Sequence, residues 1–234
     1  MLPNPWDVGS AKRLEGFGFR ALASTSAGMA WALGKSDGEV TRDEAIAHLK
    51  MLCAATDLPV NADFEDGFGE TPTDVAESVA LAIDAGVAGL SIEDWSGDAL
   101  YELPVALDRL RAARSAIDAS GRDVILVART EGYLRGRREL GPTLERLKAY
   151  ADAGADCLYA PAISDPIEIK TVVQAMAPKP VNILLWGDNM SVDSLAALGV
   201  RRVSTGGALA AAAWAGFETA AKPLAEAARR VSGE

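Results

Sequence analysis

Apolar residues in this chain fall into short blocks, each followed by a longer stretch whose apolar positions recur at helical spacing. The blocks Leu2–Asn4, Ala21–Ala23, Pro59–Ala62, Gly89–Ile92, Val124–Ala128, Cys157–Ala160, Val181–Trp186 and Val203–Thr205 predict strands. The stretches between them predict helices from Ser10 to about Gly16, Thr41 to about Ala55, Thr73 to Ala85 and about Pro104 to Ala119. Further helices are expected from Thr143 to Ala153, Asp165 to about Ala177, Ser191 to Leu198, and from Ala208 onward. Thr41 with Glu44 is a capping-box signature, and Thr71-Pro72-Thr73-Asp74 is a second helix start.

The alternation gives eight strand–helix units with no domain-sized linker. Runs such as Val124–Ala128 and Ile183–Leu185 are apolar throughout, as strands covered on both faces are. Asp84–Gly89, Ala151–Asp156 and Ala197–Val200 each place a glycine at a helix end with a strand close behind it. That is the return turn at the bottom of a (β/α)₈ barrel. An open doubly wound sheet would carry a glycine-rich turn after its first strand, where this chain has Asn4-Pro5-Trp6-Asp7. The expected architecture is a single TIM barrel spanning residues 1–234.

A barrel carries its chemistry at the C-terminal ends of its strands. Those ends hold Thr25 and Ser26, Asp63 and Glu65, Glu93 and Asp94, Arg129 and Glu131, Tyr159, Asn182 or Trp186, and Thr205. Acids and one arginine from distant segments thus converge on one rim. Asp63, Glu65 and Asp66 fall within four residues, and clustered carboxylates need water, a cation or donors to offset their repulsion. Such oxygen donors suit Mg²⁺ or Mn²⁺ rather than zinc, since His48 is the only histidine. Read alone, the same string also describes a solvated acidic loop.

Composition narrows the partners. Lys plus Arg is 23 against 33 Asp plus Glu, a net charge of −10, which speaks against nucleic acid or an anionic membrane as the main partner. A few arginines or a metal can still make one cleft attractive to an anionic substrate. Cys53 and Cys157 form no disulfide framework and suit a reducing cytoplasm, and the start MLPNPWD has no signal-peptide pattern. No apolar run reaches the roughly 20 residues that span a bilayer. His48 and Cys53 fall on a barrel-wall helix and Cys157 at the bottom of a strand, positions that suit packing. Glu131 is placed to hold Arg129, whereas Asp66 reads equally as a supporting group or a solvated acid. Tyr159 could donate a hydrogen bond to a substrate or pack at the mouth, and Arg135, Arg137 and Arg138 could steer an anion or face solvent.

The string Asp63-Phe64-Glu65-Asp66-Gly67-Phe68-Gly69 resembles the D-x-D/E-x-G-[YF]-G signature of the isocitrate lyase/phosphoenolpyruvate mutase superfamily. Ser91-Ile92-Glu93-Asp94, Val127-Ala128-Arg129-Thr130-Glu131 and the run from Asn4 through Ser24–Gly28 to Asp37 are similar to further motifs of that family, in the same order. The resemblance implies Mg²⁺, or Mn²⁺, held directly by Asp63, with Asp37, Glu65 and Glu93 on its waters. It also implies that Arg129 grips a 2-oxo acid whose carboxylate meets the backbone of Ser24, Thr25, Ser26 and Ala27. Asp37, Glu93 and Arg129 would then be the catalytic set, and the chemistry would pass through pyruvate enolate. In this superfamily the C-terminal helix, here about 208–231, packs on a neighbouring subunit, implying a homodimer or homotetramer. The lyases carry K-[KR]-C-G-H after the strand-four acids, with Cys as general acid; this chain has Trp95-Ser96-Gly97-Asp98-Ala99-Leu100-Tyr101-Glu102 there. The mutases' lysine-bearing loop is missing as well. Metal-dependent C–C cleavage such as oxaloacetate decarboxylation is therefore the leading expectation, because it asks little of a proton donor. The alternatives are 2-methylisocitrate lyase-like or phosphonopyruvate-type P–C chemistry, or a non-catalytic barrel that binds 2-oxo acids.

Overall fold

The computed structural model describes residues 1–187 and 190–232. In chain order its elements are α1 (Val8–Gly16), β1 (Leu22–Ala23), α2 (Ser26–Ala32), α3 (Arg42–Ala55), β2 (Val60–Asp63), α4 (Pro72–Asp84), β3 (Gly89–Glu93) and α5 (Leu103–Ser120). There follow β4 (Ile125–Arg129), α6 (Leu140–Asp152), β5 (Cys157–Tyr159), α7 (Pro166–Met176), β6 (Val181–Leu184), α8 (Val192–Ala197), β7 (Arg202–Ser204) and α9 (Ala208–Ser232). The seven strands are parallel and pair in sequence order.

Leu2 and Pro3 close the ring. Leu2 forms one parallel bridge to Ser204, and the Pro3 carbonyl accepts a hydrogen bond of 3.1 Å from the Ala23 N–H. The expected first strand is thereby reduced to a single bridge, because Pro3 and Pro5 have no N–H with which to continue a ladder. The Asn4 side chain then staples the two sides of the seam. It donates to the Ser24 carbonyl at 2.7 Å and accepts from the Thr205 and Gly206 N–H groups at 2.8 and 3.0 Å. The fold is a single α/β barrel of parallel strands.

Strand residues alternate between two environments. Ala62, Leu90, Ile92, Leu126, Ala128, Leu158, Val181, Ile183 and Val203 join the apolar layer beneath the helices. Their neighbours Asn61, Asp63, Ser91, Arg129, Tyr159, Asn182 and Ser204 line a small void of about 40 Å³ inside the barrel. The inside of the ring therefore carries a polar layer beside Ala23 and Val127, and the apolar runs in the sequence conceal this. The three return glycines adopt the left-handed conformation expected at helix ends, with φ of +101° at Gly86, +105° at Gly154 and +88° at Gly199.

Two further features depart from the sequence reading. Ser26–Ala32 is a short helix, capped by the Thr25 hydroxyl on the Gly28 N–H, where only a strand end and loop are expected. At the other end of the chain, Ala210 is the one buried residue among the 25 of α9, and Trp214, Phe217 and Leu224 are left exposed. Among the described residues no helix is long and apolar enough to cross a membrane.

Candidate active site

The C-terminal ends of β1 to β4 and the loop 36–40 surround a cavity of about 500 Å³. Ser26, Asp37, Glu65, Glu93, Arg129 and Arg135 line it. Parallel register explains the convergence: Asp63 pairs with Ser91, Glu93 with Arg129, and Arg129 with Tyr159. The last residues of β3, β4 and β5 therefore stand side by side, and Asp63 at the end of β2 sits level with Ser91, two residues below Glu93.

Arg129 is the hub. Its Nη1 donates to Asp63 Oδ1 at 3.2 Å, and its Nε lies 3.4 Å from Glu93 Oε2 and donates a short bond to Glu131 Oε1. Glu131 is fully buried and its other oxygen lies 3.3 Å from Arg135 Nε. Burial works against the Arg129 charge, but the carboxylates of Glu131, Glu93 and Asp63 more than offset it and hold its pKa above the ordinary arginine value. Asp63 is fixed from the other side as well. Its Oδ2 accepts from the Ser26 N–H and Oγ, both at 3.0 Å, and its own N–H donates to Ser24 Oγ at 2.8 Å.

The acids are not balanced by this arrangement. Asp37, Asp63, Glu65, Glu93 and Glu131 face two guanidinium groups. Ser26 Oγ has one proton to offer and lies within 3.1 Å of both Asp37 and Asp63. Burial, followed by repulsion from Asp63 and Asp37, pushes Glu65 up to about 8. Burial raises Asp37 and Glu93 too, with Asp63 adding repulsion to each and Glu131 adding more to Glu93. Glu65 Oε1 is buried without a hydrogen-bond partner.

An all-oxygen, over-acidic donor set with an orphaned carboxylate oxygen fits a hard divalent cation. Among the described residues no three His, Cys, Asp or Glu side chains are arranged to ligate one ion directly. Mg²⁺ commonly uses one or two carboxylates and keeps several waters, so the set fits an ion held largely through water.

The loop after β2 presents one of these acids, Glu65, from a strained backbone. Glu65 has φ of +44° and Phe68 of +51°, conformations that cost a non-glycine residue about 1–3 kcal/mol each. Gly67 has φ of +95°, and a Cβ there would meet Val75 Cγ1 at 2.9 Å, so both conformation and space require glycine. Asp66 anchors the loop through its side chain and its carbonyl. The carboxylate accepts from Arg109 Nη2 at 2.6 Å and Tyr101 Oη at 2.8 Å, and the carbonyl accepts from Arg109 Nη2 at 2.8 Å. Arg109 is itself buried, with its guanidinium 4.6 Å from the centre of the Tyr101 ring.

Asp94 builds a second brace. It accepts from Thr130 Oγ1, the Glu131 N–H, Arg146 Nη1 and Tyr150 Oη at 2.6 to 3.1 Å, tying the ends of β3 and β4 to α6. Arg109, Arg146 and Tyr150 escape the sequence reading, although Arg109 lies among Ala106, Leu110 and Ala113 on the buried face of α5, which is the available signal.

Other expected residues fall elsewhere. Tyr159 does not line the large cavity; it lies beneath Arg129, whose guanidinium is 5.4 Å from its ring centre. Ser24 and Thr25 are buried and use their hydroxyls on Asp63 and Gly28, and Ser26 rather than Ala27 lines the wall. His48 is a packing residue bonded to the Trp6 carbonyl at 2.8 Å, and burial pushes the Cys157 thiol up to about 11. The segment after β3 is a closed hairpin: Trp95 bridges Leu100, and the Ser96 N–H donates to the Ala99 carbonyl at 2.9 Å.

Residues 1–225 match the family described as phosphoenolpyruvate phosphomutase. The 2-methylisocitrate lyase of Escherichia coli is 32% identical over 183 residues, covering 73% of this chain and 60% of that enzyme. A Burkholderia cenocepacia protein, described only as a lyase/mutase, has a crystal structure similar to this one with a TM-score of 0.92 at 47% identity. That match covers 100% of this chain and 84% of the other. The crystal structure of 2,3-dimethylmalate lyase matches with a TM-score of 0.89 at 28% identity, over 96% of this chain and 81% of the other. The chain belongs to the phosphoenolpyruvate mutase/isocitrate lyase superfamily, and with it to the lyase and mutase chemistry of C–C and C–P bonds in 2-oxo acids and phosphoenolpyruvate relatives.

Proposed function

We propose that this chain is a Mg²⁺-dependent C–C lyase that takes a small 2-oxo acid through pyruvate enolate, with oxaloacetate decarboxylation as its simplest reaction. The observation that carries the reading is the meeting of Asp63, Glu93 and Arg129, from three separate strands, in one ion-pair cluster: Glu93 and Arg129 line the large cavity, and Asp63 lies beside Arg129 on the small void inside the barrel. Asp63 would hold the ion directly, with Asp37, Glu65 and Glu93 accepting from its waters; Mn²⁺ suits the same donors. The bound ion supplies Lewis-acid stabilisation of negative charge on the substrate's keto oxygen.

Arg129 binds the substrate, because a planar guanidinium matches a carboxylate and its adjacent oxygen in two-point contact. Glu131 and Glu93 keep that guanidinium aimed. Ser26 positions Asp63 and Asp37 on the opposite wall. No Cys, His or Lys lines the cavity among the described residues, which favours a reaction whose enolate solvent can protonate.

Purified protein with Mg²⁺ should release pyruvate from oxaloacetate faster than Mg²⁺ alone; equal rates would refute the decarboxylase reading. The closed hairpin after β3, lacking any proton donor of the lyase kind, favours one second reading, a barrel that binds 2-oxo acids without turnover. Calorimetric binding without product across oxaloacetate, 2-methylisocitrate and phosphonopyruvate would select it. The apolar side chains left exposed on α9 support a homodimer or homotetramer. Trp214→Ala combined with Phe217→Ala should lower the mass measured by light scattering.

A further inference from the structure

Arg135 lines the same cavity as Arg129 but is held differently. It lies on a wrapped turn after β4, where its N–H donates to the Glu131 carbonyl at 2.9 Å and the Arg137 N–H donates to the Gly132 carbonyl at 2.8 Å. Its guanidinium is 4.4 Å from the centre of the Trp95 ring, and its Nε is 3.3 Å from Glu131 Oε2. Among the described residues no hydrogen bond engages any nitrogen of its guanidinium, and its side chain is 35% exposed to the cavity and solvent. A solvated surface arginine needs neither an aromatic platform nor a fully buried carboxylate. This one has both, and its charge acts on Asp37 across the cavity.

Glu131 lies between the two cations: one oxygen accepts from Arg129, and the other stands 3.3 Å from Arg135 Nε as an ion pair without a hydrogen bond. The ion pair and the Trp95 ring hold the rim guanidinium near the deep one. Resting on the 2-oxo-acid reading, we propose that Arg135 is a second anion clamp that binds the far carboxylate of the substrate, so that the preferred substrates are dicarboxylates. Its planar fork, aimed by Trp95 and Glu131, gives the two-point contact that a lysine would not. A monocarboxylic 2-oxo acid fills the Arg129 end and leaves this fork in water.

The test is calorimetric binding in Mg²⁺ to unreactive pairs that differ only in a terminal carboxylate against a methyl group. These are 2-oxoglutarate against 2-oxopentanoate, and malate against 2-hydroxybutyrate. The wild-type protein should favour each diacid by about tenfold or more, a difference of about 1.4 kcal/mol. Arg135→Gln should reduce the preference below about twofold while 2-oxopentanoate binds as before, and Arg135→Lys should keep part of it. With oxaloacetate as substrate, Arg135→Gln should raise KM without lowering kcat, because a carboxylate held by a guanidinium loses that contact as it leaves as CO₂. A preference that survives in Arg135→Gln, or that is missing from the wild type, overturns the clamp and leaves the 2-oxo-acid site standing. Loss of monoacid binding in Arg135→Gln overturns it too, by making Arg135 a mere support for Glu131 and Arg129. If the wild type binds none of the four acids, the site reading and the clamp fall together.

Discussion

Two loops border the cavity on opposite plans. The loop after β2 holds two non-glycine residues at positive φ, Glu65 and Phe68. It is tied to the body of the barrel by Arg109 and Tyr101 on Asp66, by Ser78 Oγ on the Phe68 carbonyl, and by Phe64, which is fully buried. The hairpin after β3 bonds mostly to itself, through Ser96 and the Trp95–Leu100 bridge, and its one residue at positive φ is Gly97. Strain persists only where surrounding structure over-determines it. In this barrel that happens where carboxylates are presented and not where the related lyases keep their proton donor. The half that would bind under the proposed function is braced, and the half that would deliver a proton is a plain turn.

The largest effect should come from the braced side. Asp63→Ala or Arg129→Met should lower pyruvate release by about 10²–10³-fold, the scale of removing one preorganised charge-stabilising group. A tenfold loss or less in either variant would mean that the acids and Arg129 serve the fold more than the chemistry. Asp66→Ala should come next, lowering stability in urea by about 3 kcal/mol, because it strands the buried Arg109 guanidinium. Arg109→Met should cost less. It leaves Asp66 partly solvated and fills the volume with an apolar chain. The reverse order would show that the loop is held by packing of Phe64 rather than by charge.

The repulsion in the loop after β2 has a signature in pH. Folding raises Glu65 from the ordinary carboxylate range to about 8, so the folded state binds a proton that the unfolded chain has released. This contribution to stability is fully present below about 4.5 and is lost as pH rises towards 8. In EDTA, Glu65→Gln should therefore match the wild type near pH 5 and exceed it by on the order of 2 kcal/mol at pH 8. Saturating Mg²⁺ should narrow that gap from the wild-type side. Parallel stability curves for the two proteins in EDTA would remove the electrostatic argument for a cation.

Much of this was legible in the residues. Return glycines and strand blocks give the barrel, and strand-end acids with Arg129 give the rim, because those features depend on local spacing alone. The polar inside of the ring was not legible, since Val124–Ala128 looks uniformly apolar until strand closure decides that Val127 and Arg129 face inward with Asn61 and Tyr159. Which way Tyr159 faces was not legible for the same reason: its register opposite Arg129 places its ring under that guanidinium, on the small void inside the barrel. The helix Ser26–Ala32 was hidden by its length and its small residues. The Asp66–Arg109 and Asp94–Arg146 ties join segments 43 and 52 residues apart, a distance no periodicity reports.

The smallest predicted effect tests the other loop. Ser96 Oγ donates to the Ala99 carbonyl at 2.9 Å and accepts from the Ala99 and Asp98 N–H groups at 3.0 and 3.4 Å, all on the exposed side of the hairpin. Solvent can replace these bonds, so Ser96→Ala should cost about 0.5–1 kcal/mol of stability or less. If the hairpin is only a turn, pyruvate release should change less than about twofold and its pH profile should not move. Should Ser96→Ala instead depress turnover as strongly as Asp63→Ala while the fold stays intact, the hairpin would have to reach the reacting carbon. The contrast between a braced binding loop and an inert turn would then be wrong at its weaker end, and solvent could no longer be assigned the protonation.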